Sequence, residues 1–376
     1  MHLVKGPATV YLEGKASVLG KDVSNSEVSI SVGKILPFEI SSDCKINTTG
    51  GESWLSHHSF AGTSIWKDIV QTIFLGEKIL RTILIVGNSD AGKSTFVVYL
   101  INEALKNGLK PCIIDADIGQ GDLAPPNAIG GASVSAQITD LREVNTQFIE
   151  FVGSTTPTGF EEIIINAIKK ISTEIRNFCN ICIINTDGYV LSNGIDYKIR
   201  MAQEIKPDVV VCLGEDSLYD IFRANFLPSI VLCGKSPSNT IKSKIERKQR
   251  RLSQLLRYIS EDRGSHGIIS KEIKEAMFVY KGKMYYRARL GRYGQLYVIE
   301  RNNNSIVRLQ RGKLMRMFVG LGSNTNIIGF GIIVDVSRCR IYIKSDVFKF
   351  DEIYLSNSGI SEDNLLEFGI IDKYTY

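Results

Sequence analysis

Arg81-Thr-Ile-Leu-Ile-Val86, followed at once by Gly87-Asn-Ser-Asp-Ala-Gly-Lys-Ser94, is the stretch that decides the fold. Its first half is a short, continuous apolar run, the pattern of a strand buried on both faces. Its second half matches G-x-x-x-x-G-K-[ST], and a helical stretch from Ser94 to Asn107 follows, with Gly108 placed to end it. Strand, loop and helix in that order are what a phosphate-binding loop requires. The glycines let the backbone curl until its N–H groups surround phosphate oxygens, and the helix aims its positive end at them. Gly87, Asn88, Ser89, Asp90, Ala91, Gly92, Lys93, Ser94 and Thr95 are the expected nucleotide-binding residues. Lys93 would neutralise the β- and γ-phosphates, and the Ser94 hydroxyl would ligate Mg²⁺. The bland alternative, a glycine-rich turn that binds nothing, does not account for both flanks. The loop alone names no reaction, because GTPases, ATPases and small kinases share it. No guanine-reading N-K-x-D occurs in the chain, and no ABC-type signature follows the loop.

Working outward, further buried-type strands are expected at Pro111 to Asp115, Gln147 to Val152, Asn180 to Asn185, Asp208 to Leu213 and Ser229 to Cys233. Helical patterns lie between several of them. The clearest runs from Phe160 to Asn177, with Ile164, Ile168, Ile171 and Ile175 on one face. Alternating β and α elements predict an α/β class: a central P-loop NTPase domain with a mostly parallel sheet. Residues 1–75 instead alternate apolar and polar positions in short runs such as Ala8-Thr-Val-Tyr-Leu12 and Val28-Ser-Ile-Ser-Val32. They read as a β-rich module. β texture returns near Ala276, where Tyr280, Tyr285, Tyr286 and Tyr293 lie among basic residues. The expected division is therefore an N-terminal β-rich domain (1–75), a P-loop domain (76–270) and a C-terminal β-rich domain (271–376).

Ile113-Ile-Asp-Ala-Asp-Ile-Gly-Gln120 ends a strand expected beside that of the loop. Carboxylates at the C-terminal end of such a strand face the ligand crevice. Asp115 and Asp117 alternate with apolar residues and are expected to point the same way. One would order Mg²⁺ and the other accept a proton from an attacking hydroxyl. A solvated strand end or a helix cap is the competing reading.

Asp117-Ile-Gly-Gln-Gly121 followed by Pro125-Pro126 resembles the D-x-G-Q…P block of the polynucleotide 5′-hydroxyl kinases. That family includes the archaeal RNA 5′-kinases and the kinase-like subunit of the eukaryotic pre-mRNA cleavage complex. Three further blocks occur in the family's order. Gly153-Ser-Thr-Thr-Pro-Thr-Gly159 is similar to its T-x-x-G clasp, Ile184-Asn-Thr-Asp-Gly-Tyr-Val190 to its N-T-x-G-W-V, and the basic stretch 242–257 to its lid. Gly6-Pro-Ala8 and Gly33-Lys-Ile-Leu-Pro-Phe38 look like the archaeal N-terminal domain. The resemblance is weakest after about residue 275.

The resemblance implies transfer of the ATP γ-phosphoryl group to the 5′-hydroxyl end of RNA, with DNA also open as acceptor. It implies Asp117 as general base, Asp115 beside Ser94 on the Mg²⁺ side, and Gln120, Thr156, Gly159 and Tyr189 as acceptor contacts. Tyr189 stands where the family often has Trp, and Asp187 where small residues are common. The lid stretch carries Lys242, Lys244, Arg247, Lys248, Arg250, Arg251 and Arg257 against a single Glu246. Its apolar residues Ile241, Ile245, Leu252, Leu255, Leu256 and Ile259 suit an amphipathic helix. Arg247 and Arg251 are four apart and share a face. In a kinase lid such arginines stabilise transition-state charge; in a generic protein they would form a solvated helix face.

The composition fits this reading. The 376 residues carry 45 basic and 40 acidic side chains, a net charge of +5, and 44% are hydrophobic. That suits a soluble protein with a sizeable core and only mildly favours an acidic polymer as partner. Neither a secretory signal nor a membrane-length apolar run appears, so an intracellular, cytoplasmic protein without a membrane partner is expected. Seven scattered cysteines indicate buried thiols, and Cys179-x-x-Cys182 reads as core packing within a strand. His57-His58 reads as surface, and Trp54 and Trp66 as packing between domains. Two rivals stay open. One is an ATP-bound, non-catalytic scaffold with protein partners in RNA processing. The other is a P-loop ATPase or small-molecule kinase.

Overall fold

The computed structural model describes residues 1–55, 66–74, 82–225, 230–235, 242–259, 267–300, 305–361, 364–367 and 373–375. His57-His58 falls outside them. The chain forms two compact units. The first gathers Met1–Asp117, Gly130–Phe148 and Ile168–Arg250; the second gathers Ile118–Ile129, Ile149–Ala167 and Arg251–Tyr376.

The first unit opens with eight short strands: β1 (His2–Lys5), β2 (Ala8–Glu13), β3 (Ala16–Val18), β4 (Lys21–Asp22), β5 (Glu27–Ile30), β6 (Ile35–Ile40), β7 (Lys45–Thr49) and β8 (Glu52–Leu55). They make a five-stranded sheet, β4-β3-β6-β1-β8, and a three-stranded one, β5-β2-β7. The period-2 pattern explains them: Ala8, Val10 and Leu12 turn inward while Thr9, Tyr11 and Glu13 turn out.

After α1 (Lys67–Phe74) come β9 (Thr82–Gly87), α2 (Lys93–Lys106), β10 (Pro111–Ala116), β11 (Ala128–Ser133), β12 (Phe148–Phe151), α3 (Glu161–Ile175), β13 (Ile181–Thr186), α4 (Asn193–Ile205), β14 (Val209–Leu213), α5 (Asp216–Asn225), β15 (Ile230–Gly234) and α6 (Lys244–Ile259). Within the first unit the strand order is β11-β10-β13-β9-β14-β15. Every neighbouring pair from β10 to β15 is parallel, and β11 alone runs antiparallel to β10. The sheet is thus mostly parallel, as its near-continuous apolar strands predict. β11 was not expected, because Ala-Ile-Gly-Gly-Ala-Ser carries no alternation. Its small residues answer to packing: a Cβ at Gly131 would lie 2.4 Å from the Ile171 side chain.

The N-terminal module is tied to the loop's own helix. Asn102 is buried on α2, donates to Leu19 O and Ile138 O at 2.8 Å each, and accepts from Ile138 N at 2.9 Å. Trp66 packs edge-on against Phe96 of α2, lies beside Tyr99, and donates its indole N–H to Lys235 O. All three partners, Phe96, Tyr99 and Lys235, lie within this unit. Cys182 is buried on β13 opposite Cys112, and Cys179 lies before the strand, not in it.

The second unit holds a ten-stranded sheet. It includes β16 (Gly267–Glu272), β17 (Met277–Tyr280), β18 (Lys283–Leu290), β19 (Leu296–Glu300) and β20 (Ser305–Leu309). Phe278, Tyr285, Leu296, Val298, Val307 and Ile343 are among the residues that fill its core. Among the described residues no helix is long and apolar enough to cross a membrane.

Candidate active site

In the first unit the loop forms between β9 and α2. Gly92 caps α2 with φ 88° and Asp90 has φ 63°, so both adopt left-handed backbone. Close approach also fixes glycine at 87, where a Cβ would lie 2.4 Å from Leu213 O on β14. Lys93 is buried, and its Nζ donates to Gly87 O at 2.8 Å and Asn88 O at 2.7 Å. Burial pulls the Lys93 ammonium down to about 8, while the charges of Asp117, Asp187 and Asp90 oppose that pull.

Beside the loop, Asp115 is buried at the end of β10. Its Oδ1 accepts from Asn185 Nδ2 at 2.9 Å, and the same amide reaches Ser94 Oγ at 3.4 Å. Asn185 comes from β13, whose register pairs it directly with Asp115. A hydroxyl, a carboxylate and an amide thus converge. Asn185 Oδ1 is buried without a hydrogen-bond partner among the described residues. Asp117 lies just past the strand, half-buried, its N–H directed at Asp115 Oδ1 at 3.4 Å.

The Asp187-Gly-Tyr189 turn after β13 packs under the loop. A Cβ at Gly188 would lie 2.3 Å from Ser89 Oγ and 2.6 Å from Ser89 N, so only glycine fits. Asp187 holds the turn. It accepts from Tyr189 N at 2.8 Å, from Tyr197 OH at 3.3 Å and from Lys198 Nζ at 2.8 Å. Lys198 on α4 is wholly buried. Burial lowers its pKa, and Asp187 offsets the fall. Sequence reasoning passed over Lys198, because a lysine in a helix reads as a solvated cation. The unusual Asp187 was the only signal for it.

Of the basic segment, Lys242 and Arg247 reach the loop. Arg247 Nη2 donates to Asp90 Oδ2 at 2.8 Å, and Lys242 N donates to the same oxygen at 3.0 Å. Arg250 is buried against Gly33 of the N-terminal module. The expected apolar stripe holds at the buried Leu255 but not at Ile245, which is 68% exposed, nor at the exposed Leu256. The helix begins only at Lys244, so Ile245 sits in its first turn, where no packing partner is required.

The other expected residues belong to the second unit: Gln120, Thr156, Gly159 and Arg251. The loop after Gln120 is gripped by α6. Gln254 Nε2 donates to Asp122 O at 2.7 Å and Ala124 O at 3.0 Å, and Tyr258 OH donates to Leu123 O at 2.6 Å. Neither Gln254 nor Tyr258 stood out in the sequence. In the clasp, Ser154 Oγ donates to Thr156 O at 2.8 Å. Gly153 (φ 85°) has no room for a side chain, since a Cβ would lie 2.6 Å from Leu355 O. Gly159 (φ 76°) lies beside Lys281 Nζ. Among the described residues no group of three or more His, Cys, Asp or Glu could hold a metal ion.

Known proteins resemble this chain in sequence and in fold. Residues 87–261 match the family described as mRNA cleavage and polyadenylation factor CLP1 P-loop. A polyribonucleotide 5′-hydroxyl-kinase of Pyrococcus furiosus is 25% identical over 323 residues, 77% of this chain and 90% of that protein. The polyribonucleotide 5′-hydroxyl-kinase Clp1 of Xenopus tropicalis is 30% identical over 217 residues, 53% of this chain and 48% of that protein, so the match spans about half its length. Among solved structures, that of a wild-type Clp1p–Pcf11p complex superposes with a TM-score of 0.71 at 13% identity, covering 96% of this chain and 97% of that one, a likeness of fold alone. The segment from 87 to 261 is thus similar to the CLP1 P-loop domain, and the chain is similar to polyribonucleotide 5′-hydroxyl-kinases of both archaeal and eukaryotic origin.

Proposed function

We propose that this chain transfers the γ-phosphoryl group of ATP to the 5′-hydroxyl end of RNA, with DNA as a second acceptor to be tested. The observation that carries the reading is the assembly within one unit of Lys93, Ser94, Asp115 and Asp117, with Arg247 drawn to the loop by Asp90. Relatives named polyribonucleotide 5′-hydroxyl-kinase support it.

The loop from Gly87 to Thr95 wraps the donor phosphates, and Lys93 neutralises them. Asp117 accepts the proton of the attacking 5′-hydroxyl. Gln120, Thr156, Gly159 and Tyr189 hold the acceptor end. Arg247 and Arg251 serve as lid cations that stabilise charge as the phosphoryl group transfers. Ser94 and Asp115 carry hard oxygen donors that suit Mg²⁺. When bound, Mg²⁺ would neutralise charge on the transferring phosphates. The division into three domains near residues 75 and 270, and protein partners in RNA processing, are part of the same proposal.

The test is phosphorylation of a 5′-hydroxyl RNA oligonucleotide with γ-labelled ATP, beside a 5′-phosphorylated control. Label is expected on the hydroxyl strand only and is lost in Lys93→Ala. Asp117→Asn is expected to lower kcat by about 10²–10⁴-fold with ATP affinity kept, the usual range for a lost general base. Undiminished turnover in Asp117→Asn would remove the base assignment. ATP binding without label would favour the scaffold, and phosphate release indifferent to oligonucleotide would favour an ATPase.

A further inference from the structure

The C-terminal sheet carries a charged face that the phosphoryl-transfer site does not use. Residues 281–299 contain five basic residues, Lys281, Lys283, Arg287, Arg289 and Arg292, and no acidic one. Core-facing positions of these strands are filled by Tyr285, Leu296, Val298, Val307 and Leu309. The opposite face presents Arg287, Arg289, Tyr297 and Arg308, with the exposed Arg292 and Tyr293 in the β18–β19 turn. Strand register places Arg289 opposite Tyr297, and Tyr297 opposite Arg308. Their guanidinium carbons stand 5.5 and 6.0 Å from the Tyr297 ring centroid. One aromatic ring thus lies between two arginines across three strands. None of Arg287, Arg289, Arg292 and Arg308 makes an ion pair among the described residues, and Glu300 is paired with Lys283. Concentrated cations repel one another, a cost that an anionic ligand offsets.

We propose that the outer face of β18, β19 and β20 binds the body of a single-stranded polynucleotide, the arginines taking phosphates and Tyr297 and Tyr293 stacking on unpaired bases. A cationic track interleaved with aromatic rings is the chemistry that recognises single strands with little sequence preference. A duplex keeps its bases stacked inside and leaves the rings unused. Continuity with the clasp supports this occupant within the same unit. The β17–β18 hairpin turns at Lys281 and Gly282 (φ 50° and 70°). There Lys281 Nζ lies 4.6 Å from the Phe160 ring centroid and 3.4 Å from where a Cβ of Gly159 would be. The turn therefore abuts the end of the loop assigned to the acceptor strand. In that assignment the inference rests on the proposed kinase reading, and it supplies a role for the C-terminal domain: to hold the strand downstream of its 5′ end.

Two arms test it. The first titrates a 20-nucleotide RNA bearing a 5′-phosphate, which cannot serve as acceptor, by fluorescence anisotropy over a salt series. Arg289→Gln/Arg308→Gln is expected to raise Kd at least tenfold at 0.1 M salt. It should also flatten the slope of log K against log salt by about 1.4, two phosphate contacts at about 0.7 each. Arg287→Gln/Arg292→Gln, confined to exposed side chains, should act in the same direction and guards against misfolding of the first pair. The second arm compares 5′-hydroxyl RNAs of 3 and 20 nucleotides. KM for the longer one should rise in step with Kd, while KM for the trimer and both kcat values stay within twofold. A Kd within twofold of the parent in both double variants overturns the proposal. If neither length is phosphorylated, the kinase reading fails while the titration still decides this one.

Discussion

Asp187→Ala is expected to be among the costliest single changes in the first unit. It leaves the Lys198 ammonium, 0% exposed, without its partner at 2.8 Å. At that separation two unit charges attract by about 6 kcal/mol at an effective dielectric of about 20. Desolvating each ion costs several kcal/mol, so the intact pair is near neutral, whereas breaking one side costs about 3–5 kcal/mol. Asp187→Ala should lie at the top of that range, because the Tyr189 N–H and Tyr197 OH also lose their acceptor. Lys198→Met should lie at the bottom, because Asp187 keeps both of those donors. The double variant Asp187→Ala/Lys198→Met should return to within about 2 kcal/mol of the parent, a coupling of at least about 6 kcal/mol against single losses of about 5 and about 3 kcal/mol. Trp66, buried against Phe96 in the same unit, reports the transition by fluorescence during urea unfolding. The pH trend has a defined sign. With its folded pKa depressed below the unfolded one, Lys198 in Asp187→Ala destabilises more as pH falls from the unfolded lysine value through the folded one. The loss should therefore be larger at pH 6 than at pH 9. Single variants within 1 kcal/mol of the parent, or strict additivity, would refute the reasoning.

Gly188→Ala should raise the Kd for ATP at least tenfold, about 1.4 kcal/mol, because the new methyl must displace the backbone at Ser89. Calorimetric titration measures this, with Gly312→Ala, which meets nothing within 4 Å, as the neutral control; equal affinities would show that the turn does not support the loop. Thiol labelling of the native protein at pH 8 should reach Cys233 and Cys339, which are exposed, and spare Cys182, whose thiol burial pushes up to about 12. Since its folded pKa stands above the unfolded value of 9, this group costs nothing below pH 9 and weakens the fold progressively as pH rises from 9 towards 12. Rapid native labelling of Cys182, followed by mass spectrometry, would contradict that burial.

The elements that the sequence made legible are those specified locally. β9, the loop and α2 follow from one apolar run, two glycines and a 3.6-residue pattern, and observed boundaries differ from expected ones by a residue or two. β11 was hidden because its small residues are chosen by the Ile171 side chain packed on them, a neighbour remote in sequence. The candidate site divides the same way. Its loop and carboxylates lie in contiguous motifs. Lys198 and Asn185 acquire meaning only from what the sheet brings beside them, since Asn185 joins Asp115 through strand register and Lys198 joins Asp187 across a turn and a helix. Arg247 stood out by charge, yet its partner Asp90, 157 residues away, could not be named. Ile245 marks the opposite error: hydrophobic spacing indicated burial where the first turn of a helix needs none.

Asn102 has a consequence for how such a protein changes through time. It spends all three of its hydrogen bonds on backbone groups, one carbonyl in the N-terminal module and both polar groups of Ile138. Backbone partners survive side-chain substitution, so the module's sequence is free to drift while the joint stays closed. Recombination is not so tolerated. A crossover near residue 75, where the sequence texture changes, would import a module whose main chain must present a carbonyl at one point in space to a helix that begins at the phosphate loop. The β-rich N-terminus and the nucleotide-binding segment are therefore expected to descend together as one heritable piece, with Asn102 slow to vary and its neighbours on the module fast.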